Sequence, residues 1–543
     1  MSKDRDKAFF GHPAGLSTLF FTEMWERLSY YGARTFLAIY MTTKVAYGGR
    51  EMSDGATGLV MALYMSSVYL LSLPGGWIAD RFIGQRKAVT VGGIGIALGN
   101  AMLALPIDSL FFPGLAVIAF GTGFLKPNIS TLVGQLYKPN DVRRNAGYTI
   151  YYMGINIGAG AAPLVGVFIA QSPSFRAFLS GHGIDPNMCW KIGFAVPAIG
   201  MVLGLIQYFI GYKKLGEAGM HPTIPSDPVR ANRDRSVLKT IVASLVVLIG
   251  GGIIVDKYVY ELSGDLIGNV FSVGLLVAAV AVFVGLFKTA RDHGERTRVA
   301  AMIPLFIGAI AFFALFEQAS TTMSLYAERL VDRNLFGLYV PASFYQFWNA
   351  IFIVILATPF AAMWLRLGKA GREPSSPIKF GIGMLFAALS FGLMLPSLGN
   401  ATTGSWMLFM HGPEGSSNLV SPYYLIVFYF VSTLSELFIS PVGLSSMNAL
   451  APKRLAGMVM GTWFLATAIG NYIAGRAASI SEGNGYGYLF KLLIVSALII
   501  SAALFAVAPR IKRMMSNPRA SAPADHSEKA EPDPLPAART VED

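Results

Sequence analysis

The sequence predicts an all-α polytopic membrane protein. Of its 543 residues, 54% are hydrophobic and only 14% are charged, whereas soluble domains carry about 25% charged residues. The mean hydropathy is +0.52. Apolar runs of about twenty residues, the length that crosses a bilayer as a helix, recur along the chain. Because lipid offers the backbone no hydrogen-bond partners, these runs are expected to be helices.

Fourteen such runs are expected to be spans, arranged as six, a two-helix insert at 237–288, and six. They cover residues 16–42, 55–79, 88–107, 111–137, 145–171, 190–212, 237–256, 265–288, 299–326, 341–365, 378–398, 421–446, 455–480 and 487–509. The expected domains are a cytoplasmic N-terminus (1–15), a six-helix bundle (16–212), a linker with the insert (213–298), a second six-helix bundle (299–510) and a disordered cytoplasmic tail (511–543), which is rich in Pro, Ala and charge.

Loop charge predicts the orientation of these spans. Loops rich in Lys and Arg, such as 81–87, 138–144 and 366–372, alternate with loops that are mixed or acidic, such as 256–265. Basic loops stay on the cytoplasmic side of a membrane, so both termini are expected inside. The net charge of +12 therefore reflects topology, and no nucleic-acid partner is expected.

The first span carries charge that lipid cannot accommodate. One face of this helix is expected to carry Glu23, Glu26, Arg27, Tyr30, Tyr31 and Arg34, which fall at steps of three and four. Each ionised group would cost about 3 kcal/mol at the bilayer centre. The face is therefore expected to meet protein or a water-filled cavity and to be functional. For any one of these residues the alternative is a structural ion pair that joins two helices.

A weak internal repeat relates the two halves of the chain. Residues 453–457 (KRLAG) echo residues 143–147 (RRNAG) at an offset of 310, and both precede a span. The same offset places Glu436 opposite Lys126 in the preceding span. Two related halves around a site at mid-membrane depth are typical of alternating-access transporters.

Residues 75–87 (GGWIADRFIGQRK) lie between the second and third predicted spans. Glycine permits a tight turn and close helix approach, and Asp80 can pair with a helix N-terminus or an arginine. The stretch resembles the loop signature of the major facilitator superfamily. That resemblance implies a gating loop, marked by Gly76, Asp80 and Arg81, that closes the cytoplasmic side in one state. The alternative is an ordinary basic cytoplasmic turn.

Six further motifs resemble the proton-coupled oligopeptide transporter family of that superfamily. In order they are EMWER followed by YYG (23–32), GTGFLKPNIS (121–130), YYMGINIG (151–158), FEQ (316–318), SELFISP (435–441) and GTWFL (461–465). The resemblance implies the major facilitator fold and proton-driven symport of di- and tripeptides by the rocking of two bundles. The chain departs from the family at Leu28, where Phe is usual, at Ala350, where Pro is common, and in lacking a histidine in the second span.

Carboxylates are expected to carry the coupling proton, because none of the six histidines lies in a predicted span. The predicted spans hold four carboxylates and three basic side chains at depth, so one added proton would make the set neutral. The set is Glu23, Glu26, Glu317 and Glu436 against Arg27, Arg34 and Lys126. The residues expected to couple protons are Glu23, Glu26, Arg27, Lys126 and Glu317. Glu317 is expected to pair with Arg34, and Lys126 with Glu23 or Glu26; the family resemblance supports an exchange of ion pairs and leaves open which glutamate takes the proton.

A peptide site should grip an ammonium and a carboxylate and leave the middle loose. Arginine and lysine suit the carboxylate, a glutamate suits the ammonium, asparagines can bind amides, and aromatic walls tolerate varied side chains. The expected substrate-binding residues are Arg27, Tyr31, Arg34, Tyr69, Lys126, Tyr152, Asn156, Glu317, Asn349, Glu436 and Trp463, with Phe464 as a further aromatic wall. The alternatives are helix packing for the aromatic residues and interhelical hydrogen bonds for the asparagines.

Two other functions compete with peptide transport. Related carriers move nitrate or other organic anions, but Glu436 favours a substrate with an ammonium. A membrane-embedded enzyme would need a nucleophile–base pair or metal ligands, and the scattered histidines and single Cys189 suggest neither. We expect a monomer in the inner membrane of a bacterium, surrounded by lipid, with the proton as coupling ion and with no cofactor or metal.

Overall fold

A computed structural model describes residues 8–138, 141, 143–222, 229, 231–240, 243, 263–398, 419–450 and 456–515. Within these residues the chain is predominantly helical, and eleven helical segments are long and apolar enough to cross a membrane. A short β-hairpin in the same part of the chain pairs Asn334–Leu335 with Leu338–Tyr339 in antiparallel register. The predicted class, a polytopic helical membrane protein, is confirmed.

The described residues up to 222 contain six long helices. They are α1 (Gly15–Thr42), α2 (Asp54–Ile83), α3 (Gln85–Ala104), α4 (Phe111–Gln135), α5 (Arg144–Ala162) and α6 (Met188–Gly211). A π-helical turn, Pro163–Val167, extends α5 to Gln171. Helix α1, which has four charged residues, is buried over most of its length and packs against α5 and α6.

The described residues from 263 onward contain seven more helices. They are α7 (Gly264–Thr289), α8 (His293–Phe316), α9 (Thr322–Leu330), α10 (Phe347–Lys369), α11 (Ser376–Gly392), α12 (Tyr423–Leu450) and α13 (Ala456–Met515). Helix α13 holds both of the last two predicted spans, and Gly485, with a φ of 80°, kinks it between them. Its last turn passes residue 511, where the tail was predicted to begin. The predicted span 237–256 lies almost wholly outside the described residues, as does the chain beyond 515.

The predicted loop between the second and third spans is largely helical, so its predicted form was wrong. Helix α2 continues past residue 79 through a π-helical turn, Ala79–Ile83, and only Gly84 separates it from α3. Gly84 has a φ of 81°, a left-handed conformation that glycine adopts without a Cβ clash. Hydropathy ended the span too early because Asp80 and Arg81 are polar, yet a helix can carry such side chains into the membrane interface.

Helices from the two parts of the chain meet most closely where α2 crosses α13. A Cβ placed on Gly58 would lie 2.7 Å from the Cβ of Ala478, and one on Gly475 would lie 2.5 Å from the backbone nitrogen of Ala62. Only glycine at both positions allows this approach, which is how small residues bring membrane helices together.

Polar contacts reinforce this crossing at the end of α2 that loop charge places outside. Two guanidinium nitrogens of Arg329, at the end of α9, donate to the carboxylate of Asp54 at 2.5 and 2.6 Å. Glu482 of α13 accepts a hydrogen bond from the backbone nitrogen of Gly55 at 2.6 Å, where the positive end of the α2 dipole favours an anion. The outer ends of the two helix sets are therefore closed against each other.

Helix α7, the described half of the predicted insert, covers this crossing from the lipid side. The Tyr472 hydroxyl of α13 donates to the backbone oxygen of Gly268 at 2.6 Å, and Arg476 pairs with Asp265 at 3.0 Å. Leu59 of α2 borders Gly268 as well. The opposite face of α7 is exposed and apolar, as expected of a helix at the edge of a bundle.

Overpacking the α2–α13 crossing should open the outer side. A Gly475→Val change inserts a branched side chain against backbone, which costs about 1–3 kcal/mol and is enough to shift a two-state equilibrium about tenfold. We expect spin labels at Ala56→Cys and Asn484→Cys to move apart in electron–electron distance measurements. Gly483→Val is the matched control, because a Cβ there meets nothing within 4 Å. Identical distance distributions for the two variants would contradict the closed crossing.

Candidate functional site

A central cavity lies between the two sets of helices. It encloses about 890 Å³ of empty space, including its open mouth. Helices α1, α5, α8, α10 and α12 contribute its walls. The lining residues are Tyr31, Arg34, Thr35, Tyr152, Ile155, Asn156, Ala159, Pro163, Phe316, Glu317, Ala319, Gln346, Asn349, Ala350, Ile353, Tyr429, Ser432 and Glu436.

Most predicted substrate residues line this cavity, but four do not. Those present are Tyr31, Arg34, Tyr152, Asn156, Glu317, Asn349 and Glu436. Arg27, Tyr69, Lys126 and Trp463 are absent from its lining.

Arg34 and Glu317 form a buried ion pair across the two parts of the chain, as expected from the sequence. Glu317 begins a 3₁₀ turn, Glu317–Ser320, between α8 and α9. The turn brings Ser320 beside Glu317, and its hydroxyl oxygen accepts a hydrogen bond from Arg34 at 2.5 Å. A second nitrogen of Arg34 donates to the Tyr30 hydroxyl at 3.4 Å. The guanidinium is thus shared among one carboxylate and two hydroxyl groups.

Asn349 orients Glu436 at another wall of the cavity. Its amide nitrogen donates to Oε2 of Glu436 at 3.0 Å and to the Thr433 hydroxyl at 2.9 Å. The sequence predicted that Asn349 would bind substrate amides directly; here its donor is already engaged with α12. The amide of Asn156 donates to the Tyr152 carbonyl of its own helix at 2.9 Å. The carboxylate of Glu436 therefore lines the cavity with one oxygen bound to Asn349.

A second charged cluster lies on α1 away from the cavity lining. Arg27 forms ion pairs with both Glu26 and Glu23, and its Nε lies 3.1 Å from Oε1 of Glu23. The predicted pairing of Lys126 with one of these glutamates is absent from the ion pairs found among the described residues. Lys126 instead places its Nζ 3.8 Å from the centre of the Tyr69 ring, a cation–π contact. Arg27 binds both glutamates because all three share one helix face.

Aromatic residues divide between the cavity and the packing around it. Tyr152 lines the cavity and is 53% exposed. Trp463 is buried and packs edge-on against Phe313, with ring centres 5.6 Å apart. Tyr69 lies 6.5 Å from Phe464, ring centre to ring centre. For Trp463 the structure therefore favours helix packing over a direct wall.

The residues of the predicted gating loop contact neighbouring parts of the structure. Asp80 accepts a hydrogen bond from Gln85 at 2.6 Å, and Arg81 lies 3.7 Å from Asp234. Gly76 packs against Pro127 of α4. Arg86, which the sequence did not single out, is buried and donates to the backbone oxygens of Gly216 and Ala218. The stretch therefore anchors the segment that follows α6.

Several neutral polar residues at the site were assigned no role from the sequence. They are Ser320, Gln346, Tyr429, Ser432 and Thr433 around the cavity, and Tyr151 beside Glu23. A hydroxyl or amide in a span is tolerated when it bonds to its own helix, so it does not stand out as a charge does. Among the described residues, no group of three or more His, Cys, Asp or Glu side chains is placed to hold a metal ion.

Comparisons with known proteins agree on one family. Residues 86–485 match the model of the POT family. The chain is 36% identical to an uncharacterised transporter, YclF, of Bacillus subtilis over 94% of this chain and 96% of that protein. It is 34% identical to a di-/tripeptide transporter of Lactococcus lactis subsp. cremoris over 95% of this chain and 99% of that protein.

Solved structures give the same likeness. A peptide transporter POT in complex with sulfate has a TM-score of 0.81 and 36% identity, over 95% of this chain and 99% of that one. A POT family transporter in complex with 5-aminolevulinic acid has a TM-score of 0.81 and 33% identity, over 93% of this chain and 98% of that one.

Removing one partner of the Arg34–Glu317 pair should destabilise the protein more than removing both. A buried charge left without its partner costs about 3–5 kcal/mol, whereas loss of both charges is often nearly neutral. We expect Arg34→Ala and Glu317→Ala each to lower the unfolding temperature in detergent, and the double variant to regain much of it.

The matched control is Asp108→Ala, which removes the exposed partner of Arg50. Such surface pairs contribute about 0–1 kcal/mol, so its unfolding temperature should stay near that of the parent. Additive losses in the double variant would refute the pairing of Arg34 with Glu317.

Proposed function

The chain belongs to the POT family, and we propose that it carries di- and tripeptides into a bacterial cell, driven by protons. It is a multi-pass protein of the bacterial cytoplasmic membrane. The observation that supports peptides best is a single cavity lined by the cation of Arg34 and the carboxylate of Glu436. Every unmodified peptide offers a carboxylate and an ammonium to these two groups.

Binding at the ends leaves the side chains of the peptide free to vary. Between the charged residues the cavity wall includes the apolar side chains of Ile155, Ala159, Ala350 and Ile353. These provide contact area without demanding a particular hydrogen-bonding partner. The site therefore suits a set of short peptides rather than one compound, in keeping with the name of the Lactococcus lactis relative.

Coupling follows from competition for Arg34. Its guanidinium is bound to Glu317 in the described structure, so a peptide carboxylate must replace that partner or share it. Any weakening of the Arg34–Glu317 pair that follows protonation of a buried carboxylate would release Arg34 for the substrate. Lys126 lies outside the cavity lining and faces the Tyr69 ring, so it would reach the substrate carboxylate only after a rearrangement. The coupling ion is the proton, and the mechanism needs no cofactor or enzymatic step.

The finer architecture is also part of the proposal. We place fourteen spans in a 6+2+6 plan, with bundles at 16–212 and 299–510, both termini in the cytoplasm, and a monomer as the working unit. The closed α2–α13 crossing supports a state in which the outer side is shut. Alternating access would then rock the two bundles about the cavity, as in other transporters built from repeats.

Transport of nitrate or another organic anion is not favoured. An anion that entered the cavity would meet the carboxylate of Glu436, held in place by Asn349, at a cost in electrostatic repulsion. A dipeptide turns that same carboxylate into a partner for its ammonium.

Competition in proteoliposomes tests the substrate class. With a labelled dipeptide and an inward proton gradient, we expect unlabelled di- and tripeptides to suppress uptake, and tetrapeptides, nitrate and free amino acids to have little effect. Uptake should collapse when the gradient is dissipated. Competition by nitrate alone would overturn the peptide assignment.

Loss of the Glu436 charge should affect the ammonium end of the substrate alone. A charged hydrogen bond contributes about 1.5–3 kcal/mol, so Glu436→Gln should weaken binding of free dipeptides roughly tenfold or more. Dipeptides with a blocked amino group should lose much less. Binding is measured by competition under counterflow, with Asp108→Asn, a change at an exposed carboxylate, as the control for removal of a carboxylate elsewhere. Equal losses for free and blocked peptides would refute this role.

A further inference from the structure

The α1 cluster contains more negative than positive charge in direct contact. Glu23, Glu26 and Arg27 are 2%, 0% and 4% exposed, and the one guanidinium serves both carboxylates. With both glutamates ionised, the cluster would retain one uncompensated charge among buried groups. One proton bound to either glutamate removes it.

The two glutamates are not equivalent in their hydrogen bonds. Both oxygens of Glu23 have a partner: Oε1 lies 3.1 Å from Nε of Arg27, and Oε2 accepts a hydrogen bond from the Tyr151 hydroxyl at 2.7 Å. Glu26 uses Oε2 for Arg27, while its Oε1 is buried without a hydrogen-bond partner. Donors to a carboxylate favour its ionised form, and a buried ionised oxygen without a donor is costly.

Close packing of α5 on α1 fixes the Tyr151 hydroxyl in this position. A Cβ on Gly154 would lie 2.9 Å from the backbone oxygen of Phe20, and one on Gly158 would lie 2.9 Å from the Cβ of Arg27. Glycine at both positions therefore lets α5 approach the charged face of α1. Tyr151 lies one turn before Gly154 and is itself buried.

The remaining ionisable groups around the cluster donate no hydrogen bond to Oε1 of Glu26. Lys126 of α4 is a further cation that acts on Glu26, and its Nζ sits over the Tyr69 ring. Arg27 also lies over the ring of Tyr30, at 5.2 Å. The titratable groups that act on the cluster are Tyr30 and Tyr31 of α1, Tyr64 and Tyr69 of α2, Lys126 of α4 and Tyr151 of α5, and Glu317 acts in turn on Lys126.

We propose that Tyr151 is a positioning residue that keeps Glu23 ionised, so that the coupling proton is carried on Oε1 of Glu26. A proton taken from water on one side forms the O–H of a neutral Glu26 acid and leaves Glu23 and Arg27 as a balanced ion pair. Its release to water on the other side restores the carboxylate. That this proton drives transport rests on the proposed function, whereas its location on Glu26 does not.

Removal of the Tyr151 hydroxyl tests the proposal through the pH dependence of uptake. In Tyr151→Phe the guanidinium of Arg27 is the donor that remains for both glutamates. The ionised form of the pair is then less stabilised, so the pair should keep its proton up to a higher pH. We expect the external pH of half-maximal proton-driven uptake to rise by about one unit, the size expected for a lost hydrogen bond to a charged group. Counterflow, which needs no net proton transfer, should persist.

Tyr148→Phe is the matched control on the same helix. Its hydroxyl donates to the backbone oxygen of Ser130 at 3.2 Å and not to a carboxylate. Its pH profile should coincide with that of the parent protein. A Tyr151→Phe profile that also coincides with the parent would overturn the proposal.

Infrared titration of the purified protein without substrate locates the proton independently of transport. We expect one component of the protonated-carboxyl band to vanish in Glu26→Gln, and to persist in Glu23→Gln with its midpoint at lower pH, because Glu26 then has Arg27 to itself. Loss of that component in Glu23→Gln but not in Glu26→Gln would place the proton on Glu23 and overturn the proposal. A wild-type protein that fails to take up peptides would refute the proposed function and leave this assignment to be judged by the infrared result.

Discussion

Charge balance inside an apolar envelope is the constraint on which this structure depends. An unbalanced ion at the bilayer centre costs about 3 kcal/mol or more, and α1 alone carries two carboxylates and two guanidinium groups. Arg27 pairs with Glu23 and Glu26 of its own helix, whereas Arg34 reaches across to Glu317 in the other part of the chain. One helix thus holds a local charge cluster and an ion pair that ties two bundles together.

The pair that crosses between bundles is linked to the closed outer side through α9. This short helix starts just after the turn that carries Glu317 and ends at the turn that carries Arg329, the partner of Asp54. Between the two side chains the chain passes through the rest of the 3₁₀ turn, the non-helical Thr321 and one short helix. A change at the Arg34–Glu317 pair therefore has a short route along the chain to the outer ion pair. Substrate binding and closure would be coupled by this one element.

The sequence predicted the spans and the charged residues because both carry a large energetic signature in a membrane. It did not predict correctly those contacts that depend on the distance between helices. Lys126 was assigned to a glutamate that Arg27 already occupies, and the loop after residue 79 proved to be helical up to Gly84. Trp463 has the right type for a cavity wall, yet its ring packs against Phe313. Helical periodicity gives the face of a residue but not the neighbour that this face meets.

Two neutral residues have a role that the sequence did not show, since each is a donor on one helix that holds a carboxylate of another. Asn349 of α10 does so for Glu436 of α12, and Tyr151 of α5 does so for Glu23 of α1. A charged motif specifies which groups are able to bind protons or substrate. The neutral donor decides which of those groups stays ionised, because each hydrogen bond to a buried carboxylate favours its charged form. Relatives with the same charged motif but different neutral neighbours should therefore divide proton and substrate among their carboxylates differently.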